Sequence, residues 1–232
     1  MEDKDKKLFA ELVRGAELAF ANAEQLFQEA ELLRERKHFA RSAFLHQISM
    51  EECAKVDMIG EAATSLILGH AVKMKGLLKG MRDHKQKNFV NAYMSGVSEA
   101  EKAARENNDV KGSIEAFEKW QGEIHLFLNT AKNASMYVDF VDEEFVAPVE
   151  RIDEQGALAI AAVNHYFMTV TGPRLRALKR AFENPDAAVA ETQWFKERLV
   201  ALRKEKPNLS MKELQDAYQA IVVEMAQKFR KS

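Results

Sequence analysis

Apolar residues recur at every third or fourth position along most of this chain, which is the spacing of one face of an α-helix. The stretch from His38 to Gly69 contains no proline and keeps this spacing, so it predicts one long central helix. A second face of this helix carries Phe39, His46 and Met50. Because a monomer would leave these groups exposed, we expect them at or near the subunit contact of a homodimer.

The same spacing predicts helices on both sides of the central one, separated by short runs of turn residues. Gly172 and Pro173 fall inside one of them, and this pair is expected to kink or split that helix. Residues 137–153 alternate, are acidic and contain a proline, which predicts an irregular loop with one extended piece. The other predicted helices cover residues 5–35, 70–94, 98–105, 111–136, 154–183, 186–204 and 211–230.

The composition agrees with an all-helical protein that buries a large core. Of the 232 residues, 47% are hydrophobic and 30% are charged, and there are only 10 glycines and 4 prolines. We therefore expect an all-α fold, with an antiparallel helical bundle over residues 1–185 and additional C-terminal helices over 186–232. The last two helices are expected to pack on the bundle as a hairpin.

The charge and the cysteine content indicate the cellular compartment and the partners to expect. The net charge of −2 favours no nucleic acid or membrane in general, so RNA binding would need a local basic patch. One cysteine, Cys53, excludes a disulfide framework and fits a reducing compartment. The N-terminus has no signal-peptide pattern, and no apolar run is long enough to span a membrane. We expect a cytoplasmic protein without a membrane partner.

Arg41 and His46, with four residues between them, are the first candidate for catalysis. A histidine with a pKa near neutrality can take a proton from a ribose 2′-hydroxyl, and an arginine can neutralise charge on the phosphate. Such a pair would cut RNA without a metal and would spare DNA, which lacks that hydroxyl. The two side chains lie about 140° apart on a helical wheel. They converge only if the Arg41 side chain, at the start of the helix, extends around the helix, or if two subunits share the site. An exposed histidine beside a capping or salt-bridging arginine is the structural alternative.

A second candidate is a cluster of charged side chains on or beside the apolar faces of neighbouring helices. Glu52 and Lys55 belong to the central helix, and His84 and Lys87 belong to the next one. Charges placed there are costly to bury unless they are paired, so the four residues are predicted to form one polar cluster. A purely structural network is the alternative to a catalytic one.

The segment that contains His84 is locally basic. Arg82 and Lys85 flank it and are candidates for contacts with RNA phosphates, although a run of charges is also typical of a solvated helix face. Bundles that hold two metal ions need Glu-x-x-His on two helices, and this chain has one such spacing, from Glu35 to His38, in a predicted turn. We therefore expect neither a metal nor a cofactor.

Several segments together resemble the AbiV-type abortive-infection proteins, a branch of the HEPN superfamily. They occur in the same order as in that family and cover roughly residues 10–185. The matching elements are Asn22-Ala23-Glu24, Leu26, Ala30 and Leu32-Leu33, then Ser49, Glu51, Glu52 and Lys55, then 83-DHKQK-87, and then 133-NASMYVD-139 followed by Pro148.

The resemblance implies a HEPN-type bundle, usually a homodimer, and a role in bacterial defence against phage. Many HEPN proteins are ribonucleases whose Arg-x4-6-His motif lies in a cleft at the dimer interface, and Arg41 and His46 match that spacing. The first hypothesis is therefore an abortive-infection protein that acts on RNA, with Arg41 binding phosphate and His46 as acid and base. The second is a non-catalytic helical module that binds a phage or host protein.

Overall fold

The structure, a computed structural model, describes residues 3–94 and 96–229. Within these residues the chain forms ten helices and one two-stranded antiparallel sheet, so the predicted all-α fold is confirmed. The helices are α1 (Asp3–Glu35), α2 (Phe39–Ile67), α3 (Met74–Arg82), α4 (His84–Met94), α5 (Glu99–Glu106), α6 (Val110–Met136), α7 (Pro148–Arg151), α8 (Glu154–Glu183), α9 (Pro185–Glu205) and α10 (Met211–Phe229), and the strands are β1 (Asp139–Val141) and β2 (Glu144–Val146).

The chain divides into two compact units. The first contains Met1–Ser95 and Gln121–Phe182, and the second contains Gly96–Trp120 and Glu183–Ser232. The second unit therefore holds the predicted C-terminal hairpin, α9 and α10, together with α5 and the start of α6, which the sequence pattern assigns to the bundle. A hydrogen bond of 3.0 Å from the backbone N–H of Met211 to the side-chain oxygen of Asn108 connects α10 to the turn after α5.

Helices α1 and α2 form an antiparallel hairpin, in line with the predicted antiparallel bundle. The turn between them is closed by backbone hydrogen bonds from Lys37 to Arg34 and from His38 to Leu33, both 2.9 Å long. Lys37 has a φ of 62°, the left-handed conformation that commonly ends a helix. The short turn places the inner faces of the two helices together, and they bury side chains that include Phe9, Leu12, Val13, Ala16, Val56, Ile59 and Ala63.

The second face of α2 is also buried within the chain, which corrects the expectation that it meets a second subunit. His46 is fully buried and Met50 is 1% exposed, while Phe39 packs partly buried against the same core. Ile160 and Phe167 of α8 belong to this core. Because α8 covers the face that a two-helix hairpin would leave open, its apolar groups need no partner subunit.

The predicted helix over residues 70–94 is two helices, α3 and α4, separated at Asp83. This residue is extended, with φ −87° and ψ 111°, and its carboxylate accepts a hydrogen bond of 2.9 Å from the N–H of Lys85. Aspartate competes with the helix for backbone N–H groups and is favoured just before a helix starts. Asp83 therefore ends α3 and caps α4.

Helix α8 is not split at Gly172 and Pro173, where the sequence predicts a kink or a break. Pro173 lies inside the helix, which continues from Glu154 to Glu183. A Cβ atom added at Gly172 would lie 3.4 Å from the ring of Phe20, so α8 packs closely against α1 at this point. Tertiary packing therefore outweighs the local tendency of this pair to interrupt a helix.

The predicted irregular loop after α6 is a β-hairpin followed by the short helix α7. The strands β1 and β2 pair antiparallel, with Phe140 opposite Phe145. Asp142 and Glu143 form the two-residue turn and have positive φ angles of 50° and 69°. Alternation of apolar and acidic residues in this segment is the signal of the strands.

Candidate functional site

Glu51 lies at the centre of a charged cluster built from α2, α4 and α6. Its side chain is only 4% exposed, and each carboxylate oxygen contacts a lysine. Lys132 Nζ donates to Oε1 at 2.6 Å, and Lys87 Nζ lies 2.7 Å from Oε2. His84 Nδ1 also lies 2.7 Å from Oε2. Three helices thus converge on one buried carboxylate.

The two lysines determine the charge state of Glu51. Burial alone would raise the pKa of this carboxyl, but hydrogen bonds from Lys132 and Lys87 outweigh burial and hold the pKa below its ordinary value. Glu51 is therefore ionised at neutral pH. Because two ammonium groups face one carboxylate, the cluster carries one surplus positive charge.

His84 is the member of the cluster that solvent reaches. Its side chain is 61% exposed, whereas those of Lys87 and Lys132 are 5% and 15% exposed. His84 Nδ1 lies 2.7 Å from the Glu51 carboxylate and 3.0 Å from Lys132 Nζ. In the tautomer whose Nδ1–H donates to the closer carboxylate, Nε2 is a hydrogen-bond acceptor. Nε2 makes no hydrogen bond to the part of the chain that the structure describes. The arrangement can therefore exchange a proton with a bound molecule.

The structure divides the predicted polar cluster into two. Lys55 pairs with Glu52 on the same helix, whereas His84 and Lys87 contact Glu51. The prediction that Glu52 belongs to one cluster with His84 and Lys87 is thus corrected, because Glu51 is the carboxylate that contacts these two residues of α4. Lys132 is absent from the prediction, since it lies 81 residues from Glu51 and no local motif marks it. Arg82 and Lys85, the predicted RNA-binding residues, are exposed on either side of His84.

His46, the predicted catalytic histidine, is fully buried and joins three helices through its contacts. Its Nε2 lies 3.0 Å from Glu31 Oε1 of α1, and its Nδ1 accepts a hydrogen bond of 3.1 Å from the amide of Asn164 in α8. The ring of Phe27 packs edge-on against the imidazole, with the centroids 5.2 Å apart. Both ring nitrogens are therefore engaged by the chain itself.

The pKa of His46 fits this structural role. Burial lowers the pKa of the imidazole, and the nearby Glu31 carboxylate only partly opposes that shift. Arg41 is exposed at the start of α2, whereas the ring of His46 contacts Glu31 and Asn164. Within this chain the structure therefore does not bring Arg41 and His46 together as one site.

The lowered pKa of His46 predicts a specific pH dependence of stability. The unfolded chain takes up a proton at this histidine near pH 6.5, but the folded chain takes it up only at lower pH. The free energy of unfolding should therefore fall as the pH drops from 7 towards 5, and it should fall less in His46→Gln. Urea unfolding across this range measures the slopes, and the exposed His70→Gln is the control. Equal slopes in the parent and in His46→Gln would contradict the prediction.

Two further findings concern metal binding and membrane insertion. Among residues 3–94 and 96–229, no three histidine, cysteine, aspartate or glutamate side chains form a group that would hold a metal ion. In the same part of the chain, no helix combines the length and the apolar character needed to cross a membrane.

Comparisons with known proteins agree with the resemblance in the sequence. Residues 11–168 match the HEPN_AbiV family model, described as AbiV. A segment of 115 residues, 49% of this chain, is 38% identical to an uncharacterized protein, y4gJ, of Sinorhizobium fredii. The match spans 60% of that relative's length. No solved structure matches this chain.

Proposed function

Because this chain belongs to the AbiV family of HEPN proteins, we propose that it is an anti-phage defence protein of the abortive-infection type that binds and cuts RNA at the Glu51 cluster. The observation that carries this proposal is the surplus positive charge of a largely buried cluster beside an exposed histidine. A desolvated positive charge attracts an anion strongly. The phosphate of RNA supplies that anion together with a hydroxyl on which a histidine can act.

The proposed chemistry assigns one role to each group. His84 Nε2 takes the proton from the ribose 2′-hydroxyl, and the resulting oxygen attacks the adjacent phosphate. Lys132 neutralises the charge that grows on the phosphate oxygens, and the exposed Arg82, two residues before His84, adds positive charge for binding the RNA backbone. Glu51 is a positioning residue, which holds the tautomer of His84 and the direction of Lys132. The P–O5′ bond breaks, the leaving 5′-oxygen takes a proton from solvent water, and His84 later returns its proton to solvent, so the products are a 2′,3′-cyclic phosphate and a 5′-hydroxyl.

The second candidate function is a non-catalytic helical module that binds a phage or host protein. The observation that favours it is the burial of His46, because the residue pair that matches the HEPN nuclease spacing is not assembled within this chain. In that case the Glu51 cluster is a structural network, and RNA is neither bound nor cut at His84.

The two functions differ in one simple assay. We expect the pure protein to cut a mixture of labelled cellular RNA in the presence of EDTA and to leave DNA of matched sequence intact, because DNA has no 2′-hydroxyl. Fragments should carry a 2′,3′-cyclic phosphate, which phosphatase treatment and end-labelling identify. Failure to cut RNA, or cutting only after a divalent ion is added, would contradict the proposal.

A further inference from the structure

The β1–β2 hairpin presents apolar side chains to solvent. Phe140 and Phe145 lie opposite each other across the two strands, with ring centroids 5.0 Å apart. They are 59% and 79% exposed, and Val149 in α7 is 76% exposed. The two rings pack against each other and stay mostly exposed, and exposed apolar patches of this kind are typical of interaction surfaces.

The chain maintains this hairpin at an energetic cost. Two-residue hairpin turns with positive φ at both positions favour Asn-Gly or Asp-Gly, because a side chain at the second position is strained. Here that position is Glu143, with a φ of 69°. An isolated two-stranded hairpin is also only marginally stable in water. Its base is held by an ion pair of 3.2 Å between Arg151 and Asp139. Backbone strain of this kind is more common at functional sites than elsewhere in a fold, which makes the hairpin a candidate for binding.

The hairpin is acidic, and a basic surface lies elsewhere on the same unit. Asp142, Glu143 and Glu144 are exposed and form no ion pair with the described residues. At the turn between α1 and α2, Arg36 and Arg41 are also exposed and form no such pair in that part of the chain. Leu32, 57% exposed, adds an apolar side chain there. The two surfaces are therefore complementary both in charge and in apolar character.

Both surfaces lie at the same end of the first unit. Ile152, directly after α7, belongs to the core cluster that includes Ala40 and Ala43 at the start of α2. The carboxylates of Glu31, of Glu35 and, more weakly, of Glu154 at the start of α8 raise the pKa of Arg34, which lies at the end of α1. The start of α8 is thus close to the α1–α2 turn, and the hairpin precedes it by only a few residues.

We propose that the β1–β2 hairpin docks on the α1–α2 turn of a second copy of this chain, and that the two copies make this contact reciprocally. A two-fold axis that passes between neighbouring acidic and basic surfaces brings each onto its complement in the other copy. Contact between two hairpins would instead place like charges together. The proposal goes beyond the proposed function, because dimer formation and RNA cutting are separate measurements.

Sedimentation velocity of the full chain from 1 to about 100 μM tests the dimer. We expect a monomer–dimer equilibrium that weakens as salt rises from about 0.05 to 0.5 M, because exposed charges are screened. Phe145→Ser should weaken dimerisation at least tenfold, and Leu126→Ser, which removes a side chain that is 66% exposed elsewhere on the same unit, should leave it unchanged. Circular dichroism of each variant reports whether it is folded.

Charge reversal tests the pairing of the two surfaces directly. A hairpin variant, Glu143→Arg with Glu144→Arg, and a turn variant, Arg36→Glu with Arg41→Glu, should each be monomeric alone. Mixing them should restore a dimer, because the reversed hairpin then meets the reversed turn while the other contact is native. A parent chain that is monomeric at about 100 μM, variants that dimerise like the parent, or a mixture that stays monomeric would each overturn the proposal.

Discussion

Replacing Glu51 with glutamine is expected to lower the free energy of unfolding by about 3–5 kcal/mol, because it leaves two largely buried ammonium groups without their carboxylate. Lys87 and Lys132 are 5% and 15% exposed, so hydration replaces little of the interaction that they lose with the carboxylate. For a chain of this size the midpoint of thermal unfolding should fall by about 6–20 °C. Calorimetry or thermal circular dichroism at neutral pH measures the change.

Glu61→Gln is the matched control for this prediction. Glu61 lies on the same helix but is exposed, so its removal should change the unfolding midpoint little. Glu51→Gln that unfolds within a degree or two of the parent would show that the carboxylate does not hold the lysines.

The pKa of Glu51 adds a second test of the same cluster. Since its folded pKa lies below the unfolded value, its contribution to stability is present above about pH 4.3 and is lost as the pH falls through the folded pKa. The difference in stability between the parent and Glu51→Gln should therefore shrink in acid. Urea unfolding between pH 6 and pH 3 measures that difference.

Periodicity predicts most helices of this chain because each buries a stripe of regularly spaced side chains. Helix ends are also predictable where the capping residues are close in sequence. Ser98, for example, accepts a hydrogen bond of 3.2 Å from the N–H of Glu101. Glu213 and Ser210 form a reciprocal cap at the start of α10. Such features depend on neighbours within four residues, so the sequence reveals them.

The site could not be predicted in the same way, because it depends on which helix covers which face. Glu51 and Glu52 differ by about 100° around α2, and only the position of α4 decides which of them meets His84. A helical wheel places His46 away from the core only when α2 is assumed to bury a single face. Asn164, which lies 118 residues away, makes the second face internal. Contacts between distant segments leave no periodic signal in either one.

Replacing His84 with alanine is expected to reduce RNA cleavage by about a hundredfold to ten-thousandfold, the usual contribution of a general acid or base. The fold should remain, because the side chain is 61% exposed and the ion pairs of Glu51 with its two lysines do not require it. Initial rates on a labelled RNA oligonucleotide in EDTA measure the loss. His70→Ala, an exposed histidine outside the cluster, should cut at the rate of the parent.

Measuring a His46 variant beside the His84 variant distinguishes which histidine transfers the proton. His46→Gln should unfold at a lower temperature than the parent, because a buried ring that contacts Glu31 and Asn164 is lost. At a temperature where the variant is still folded, however, it should cut RNA, since its ring reaches no solvent in this fold. If folded His46→Gln is inactive while His84→Ala cuts like the parent, proton transfer belongs to His46 and the Glu51 cluster is structural. If both variants and the parent are inactive on RNA, the protein-binding module becomes the better assignment.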